Sequence, residues 1–142
     1  MSENNYKAII QYGGDEFFIA TTPSQHSLTI DTKDERKSAP SPLELLLVSV
    51  AACTAADVVS ILEKKRQKVT EYKVEINGTR REDFPRAFTA FHIHHLVYGR
   101  DVSTQAVAQA IELSDTKYCS VAATVRPTAK ITTSFEIIET NS

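Results

Sequence analysis

A chain of 142 residues, 42% of them apolar and only nine Gly or Pro (four Gly, five Pro), has single-domain length and can build its own core, which excludes a disordered or fibrous chain. Sixteen basic against 18 acidic residues leave a net charge of −2, so nothing calls for nucleic acid or an anionic membrane as a partner. The two cysteines, Cys53 and Cys119, stand 66 positions apart without a Cys-x-x-Cys, which excludes a zinc ribbon or a thioredoxin motif.

The start, "MSENNYKAII", lacks the basic and apolar segments of a signal peptide, and the thiol content suits a reducing cytoplasm. "NYKAIIQY" and "EFFIATT" are β-rich runs joined across Gly13-Gly14-Asp15, a hairpin signal, and "HSLTI" reads as a third short strand. "DTKDERKSAPSP" is a charged, proline-broken loop feeding a helix. Ser41 is its N-cap, Pro42 its first position and Glu44 the acid of a capping box. That helix is expected to run to about Gln67, where "EKKRQK" puts cations at the negative end of its dipole as a solvated helix end. No run of 18 uninterrupted apolar residues occurs, so no membrane span is expected.

"TEYKVEINGTR" and "RAFTAFHIHHLVYG" alternate as strands, and Asp101-Val102-Ser103 caps a second helix, "TQAVAQAIELSDTK". "YCSVAATV" reads as a short third helix stopped by Pro127, and "AKITTSFEII" as the closing strand. The order βββ-α-ββ-α-α-β is that of one α+β domain over 1–142. The first helix is apolar or small around nearly its whole circumference, so it needs cover on all sides. At about 1.5 Å per residue it is too long for a modest sheet to surround, and a second copy of the chain would supply the missing cover.

The thiols carry the chemistry. Cys53 among alanines reads simply as a small buried hydrophobe. Cys119 changes the balance, because it stands at the start of a helical turn, where backbone N–H groups and the helix dipole lower a thiol's pKa. A thiolate with a second thiol elsewhere is what a two-cysteine redox cycle needs. Asp57, four residues after Cys53 on the same helical face, would push that thiol up, so either a cation is needed nearby or Asp57 must point away.

"SPLELLLVSVAAC", followed by "KYCSV", resembles the OsmC/Ohr family of thiol-dependent hydroperoxide reductases. "DVVSILEKKRQ", "RREDFPRAFT", "GRD" and "LSDTKYCSV" resemble most closely its YhfA-like branch. The resemblance implies an intertwined homodimer with a long central cysteine-bearing helix against antiparallel sheets. It implies that Cys53 attacks an organic hydroperoxide, that Cys119 resolves the sulfenic acid as a disulfide, and that a dithiol, lipoyl-type in the Ohr branch, regenerates the enzyme without a bound cofactor. In the Ohr branch an N-terminal arginine and a glutamate directly after the helix-opening proline activate the first thiol. Here Leu43 holds that acid position, with Glu44 one residue on, and a gapless count places Lys33 in the arginine slot, with Arg36 nearby.

Glu44 and Cys53, nine residues apart on one helix, lie about 13.5 Å apart along the axis and about 180° around it, so a Glu44 that served a thiol would serve one in the other subunit. Arg80, Arg81 and Arg86 of the strand pair are further candidate cations, though "RRED" also reads as a solvated hairpin cluster. His92 and His94 share one strand face and His95 takes the other; with no third ligand in view, no metal site is expected. The alternative to a peroxidase is a small-molecule-binding or redox-sensing protein on the same scaffold.

Overall fold

In the computed structural model, which describes residues 5–141, the first three strands form an antiparallel meander: β1 (Ile9–Gly14), β2 (Phe17–Thr21) and β3 (Ser27–Asp31), in that order across the sheet. Met1–Asn4, on which part of the signal-peptide reading rests, lie outside the described residues. The expected hairpin forms, but its turn sits further along. Asp15 and Glu16 are its central residues, both at positive φ (50° and 64°), and Gly14 (φ 95°) takes up a bulge. A two-residue turn with both central residues at positive φ matches the right-handed strand twist.

The charged loop after β3 is built around one carboxylate. Asp31 is buried and accepts hydrogen bonds from the Lys33 and Ser38 backbone N–H groups, from the Ser38 hydroxyl (2.6 Å) and from Arg36 Nε and a terminal Arg36 nitrogen (2.7 and 2.9 Å). The Arg36 guanidinium, then Ser38 and the backbone donors, hold the Asp31 carboxyl far below the usual carboxylate range. Arg36 and Lys33 both also reach Asp15 of the β1–β2 turn.

This meander belongs to a compact unit that ends at Leu46; a second compact unit starts at Leu47. The helix α1 (Pro42–Lys64) starts in one and continues through the other. Its capping box is formed as expected: the Glu44 N–H donates to Ser41 Oγ (3.1 Å), and Glu44 Oε1 accepts from the Ser41 N–H (2.9 Å). It stops three residues before the expected Gln67. Arg66 turns left-handed (φ 57°) and the Gln67 N–H reaches back to the Leu62 carbonyl, a Schellman-type stop without glycine.

In the second unit β4 (Lys68–Arg80) pairs antiparallel with β5 (Phe88–Arg100), and β6 (Lys130–Glu139) lies parallel to β5 on its other side. The predicted element order is the observed one, and the fold is α+β. Phe91, Ile93, His95 and Val97 form the buried face of β5. Val97 joins Val58 and Leu62 of α1 and Ala106, Val107, Ala110 and Ile111 of α2 (Thr104–Leu113) in one apolar core. Ser103 caps α2 by accepting the Ala106 N–H. The expected continuation of α2 to Lys117 is instead a π-helical turn (Ser114–Tyr118), after which α3 (Ser120–Val125) begins.

By length and composition alone α1 is long and apolar enough to cross a membrane, because scattered Ser, Thr and Asp interrupt its apolar run without lowering its average much, a test that the core helix of a soluble protein also passes. Its apolar character has a local use, since Val50, Ala51, Val58 and Leu62 are buried within this chain.

Candidate redox site

The π turn decides where the second thiol goes. Its extra residue per turn lets the Cys119 N–H bond to the Ser114 carbonyl (2.8 Å), so Ser114 and Cys119 face α1 together. From α1 come Cys53 and, one helical turn on, Asp57. The Cys53 sulfur, an Asp57 carboxylate oxygen and the Cys119 sulfur all lie within 4.8 Å of one another. The two cysteines, distant in sequence, thus meet as free thiols, Cys53 partly accessible and Cys119 buried.

Polar groups hold this cluster from behind. Ser114, fully buried at 0% exposure, donates its hydroxyl proton to Asp57 Oδ2 (2.8 Å). A serine has one such proton, so the 2.9 Å contact between Thr54 and Ser114 is donated by Thr54. Cys119 is the N-cap of α3, and its sulfur accepts the Ala122 N–H at 3.3 Å.

The expected helix-start position of Cys119 is therefore observed, but the expected lowering of its pKa is overturned. Burial, then the hydrogen bond to Cys53, push the Cys119 thiol up to about 11, with the charges of Cys53 and Asp57 acting in the same direction; only the Ala122 N–H opposes them. One backbone N–H on a six-residue helix does not offset loss of water and two like charges.

The other sequence candidates have partners of their own. Glu44 is engaged in the capping box, and Arg36 and Lys33 in the Asp31–Asp15 cluster. Arg80 Nε donates to the Arg86 carbonyl and the Arg86 guanidinium lies over the Phe84 ring, while for Arg81 it is the backbone N–H that is bonded, to the Ala87 carbonyl. His92 bonds Thr132 and Ser134, and His94 bonds Ser134, while His95 is buried on the opposite face as expected.

Sequence reasoning missed Thr54 and Ser114, which carry no signature at their separation of 60 positions and meet only through the π turn. It also missed a surface hollow of about 400 Å³ beside the thiols, lined by Asp57, Ser60, Ile61, Lys64, Lys65 and Tyr118. Two lysines read as a solvated helix end thus border the approach to Asp57.

An α+β chain whose long helix brings one cysteine to a second, helix-capping cysteine is a dithiol protein of a recognisable kind. The model of the OsmC-like protein family matches residues 33–134, and the chain belongs to that family. Protein YhfA of Escherichia coli K12 is 43% identical over 121 residues, which is 85% of this chain and 90% of YhfA. A solved structure described as a hypothetical protein from Aquifex aeolicus VF5 is 32% identical and superimposes with a TM-score of 0.87, covering 97% of this chain and 99% of its own. The fold, at 13% identity and a TM-score of 0.71, is also that of an organic hydroperoxide resistance protein OsmC from Legionella pneumophila, over 96% of this chain and 99% of that one.

Proposed function

We propose that this protein is a thiol-dependent peroxidase that reduces organic hydroperoxides in the cytoplasm, as part of defence against oxidative stress. The observation that carries this reading is the approach of the Cys53 and Cys119 sulfurs to within 4.8 Å, one thiol partly accessible and the other buried. The accessible Cys53 is the one a peroxide can reach. Its neighbour Cys119 holds its proton more tightly than an ordinary thiol, because burial and then the hydrogen bond to Cys53 raise its pKa, which suits the resolving role.

Cys53 thiolate attacks the terminal oxygen of the hydroperoxide, the O–O bond breaks, and the alkoxide leaves as alcohol after taking a proton. Cys53 is then a sulfenic acid. Cys119 attacks its sulfur, the S–O bond breaks, and the hydroxide leaves as water with the Cys119 proton. A dithiol reductant, lipoyl-type by analogy with the Ohr branch, exchanges with the Cys53–Cys119 disulfide and restores both thiols. No cofactor is needed.

The active form is an intertwined homodimer in which the 142 residues act as one OsmC-like domain; the family match across residues 33–134, spanning Leu46 and Leu47, supports that reading. In the dimer Glu44 of the partner subunit would fix the cation that favours the Cys53 thiolate, with Lys33, Arg36, Arg80, Arg81 and Arg86 as the candidates. Stopped-flow reduction of cumene hydroperoxide should be rapid in the wild type and reduced at least 100-fold in Cys53→Ser. In Cys119→Ser the first turnover should persist and a Cys53 sulfenic acid should be trapped by dimedone. Equal, slow rates in wild type and Cys53→Ser would leave the binding-protein reading in its place.

A further inference from the structure

Two thiols and a carboxylate that converge within 4.8 Å form a donor set of a second kind. Zinc binds thiolate sulfur at about 2.3 Å and carboxylate oxygen at about 2.0–2.2 Å in tetrahedral geometry, which sets its ligand sulfurs roughly 3.8 Å apart. Separations within 4.8 Å are of the size that such a ligand set requires. The donors are also oriented as ligands are. Asp57 keeps one oxygen bonded to Ser114, itself bonded to Thr54, and the Cys119 sulfur accepts the Ala122 N–H. Such outer hydrogen bonds fix ligand direction and carry much of a metal site's affinity.

From this geometry we infer that the reduced protein binds a zinc-class divalent ion through Cys53, Cys119 and Asp57, with the fourth position open to water. Binding replaces the two thiol protons: one Zn²⁺ enters, two protons leave, and two thiolates plus one carboxylate give the bound site a net charge of −1. Because two protons leave on binding, the affinity rises with pH. Forming the Cys53–Cys119 disulfide removes both thiolates and expels the ion. Metal and peroxide thus compete for one pair of sulfurs, and the loaded form protects Cys53 from alkylation.

The test is a titration of reduced protein, freed of reductant under nitrogen, with Zn²⁺ against a chromophoric chelator. One ion per chain should bind. Cys53→Ser and Cys119→Ser should each weaken it at least 100-fold, and Asp57→Asn and Ser114→Ala by about 10–100-fold. Co²⁺ in place of Zn²⁺ should show thiolate-to-metal charge-transfer bands. Oxidation of the wild type with diamide should release the ion and dithiothreitol should restore it, a comparison that needs no variant to fold. No peroxide is involved, so the outcome is separate from that of the peroxidase assay. Binding that survives oxidation, that is unchanged in Asp57→Asn, or that disappears in a His92→Ala/His94→Ala double variant would overturn the site, as would failure to withdraw zinc from the chelator.

Discussion

His95 shows how far one buried side chain can tie stability to pH. It lies on the core face of β5 at 0% exposure, with Nδ1 2.6 Å from the Tyr72 hydroxyl and no hydrogen-bond partner for Nε2 among the described residues. Burial, then the charge of His94, lower its pKa to about 4, against about 6.5 in an unfolded chain. Between those values the unfolded chain binds the proton and the folded one does not, so stability rises with pH. The contribution is complete above about pH 6.5 and is lost as pH falls towards 4. At pH 5 the loss should be about 2 kcal/mol, from roughly 1.4 kcal/mol for each unit between 6.5 and 5. Urea unfolding at pH 7.5 and pH 5 reads this directly. His95→Gln, which can still bond Tyr72 but cannot titrate, should remove most of the difference; an identical pH response in the variant would show that other groups carry it. Strand alternation was enough to separate His95 from His92 and His94 in the sequence. What the sequence could not supply is the environment: a helix-start thiol looks acidic, whereas burial, then the hydrogen bond to Cys53, raise the Cys119 pKa.

At the scale of elements, local chemistry was legible and register was not. The capping box of α1 and the N-cap of α2 are legible from Ser41, Glu44 and Ser103 because a cap needs only residues within one turn. The π turn, and through it the meeting of Ser114 with Thr54 and Asp57, depends on packing between α1 and the segment after α2, which no local pattern encodes. Arg66 ends α1 in a conformation usually given to glycine, so the expected stop was placed too late. Gly99 is a further contact hidden from the sequence. A Cβ there would overlap the Lys68 carbonyl oxygen across the β4–β5 pair and a Val102 methyl. Gly78 differs, since an added Cβ would meet chiefly the Phe88 ring, which can turn. Gly99→Ala should therefore cost about 1–3 kcal/mol, the range for forced overpacking, and Gly78→Ala less. Thermal melts of the two variants side by side decide it, and an equal loss in both would mean that the β4–β5 pair gives way at Gly99 as easily as a side chain does.

For the whole molecule, the decisive surface is the face of α1 that the chain leaves uncovered. Val48, Ala52, Ala56 and Val59 are exposed and follow helical spacing, with Val48 at 60% and Val59 at 43% exposure. Positions 48 and 59 are eleven residues apart, which returns to within about 20° of the same direction. Only 28% of the helix's most apolar stretch is buried inside one chain. A stripe of two valines flanking two alanines is apolar enough to seek cover and small enough at its centre to let another helix approach closely. Two copies of α1 packed along this stripe would satisfy the all-round apolar pattern read from the sequence and would form the homodimer proposed above. Light scattering after size exclusion should give a mass near twice 15.8 kDa that persists on dilution. Val59→Asp puts a charge into that contact and should yield monomer or aggregate, whereas Lys68→Ala, an exposed change on β4, should leave the dimer intact. A folded wild-type monomer with α1 exposed would sink the dimer, and with it the supply of Glu44 from a partner subunit.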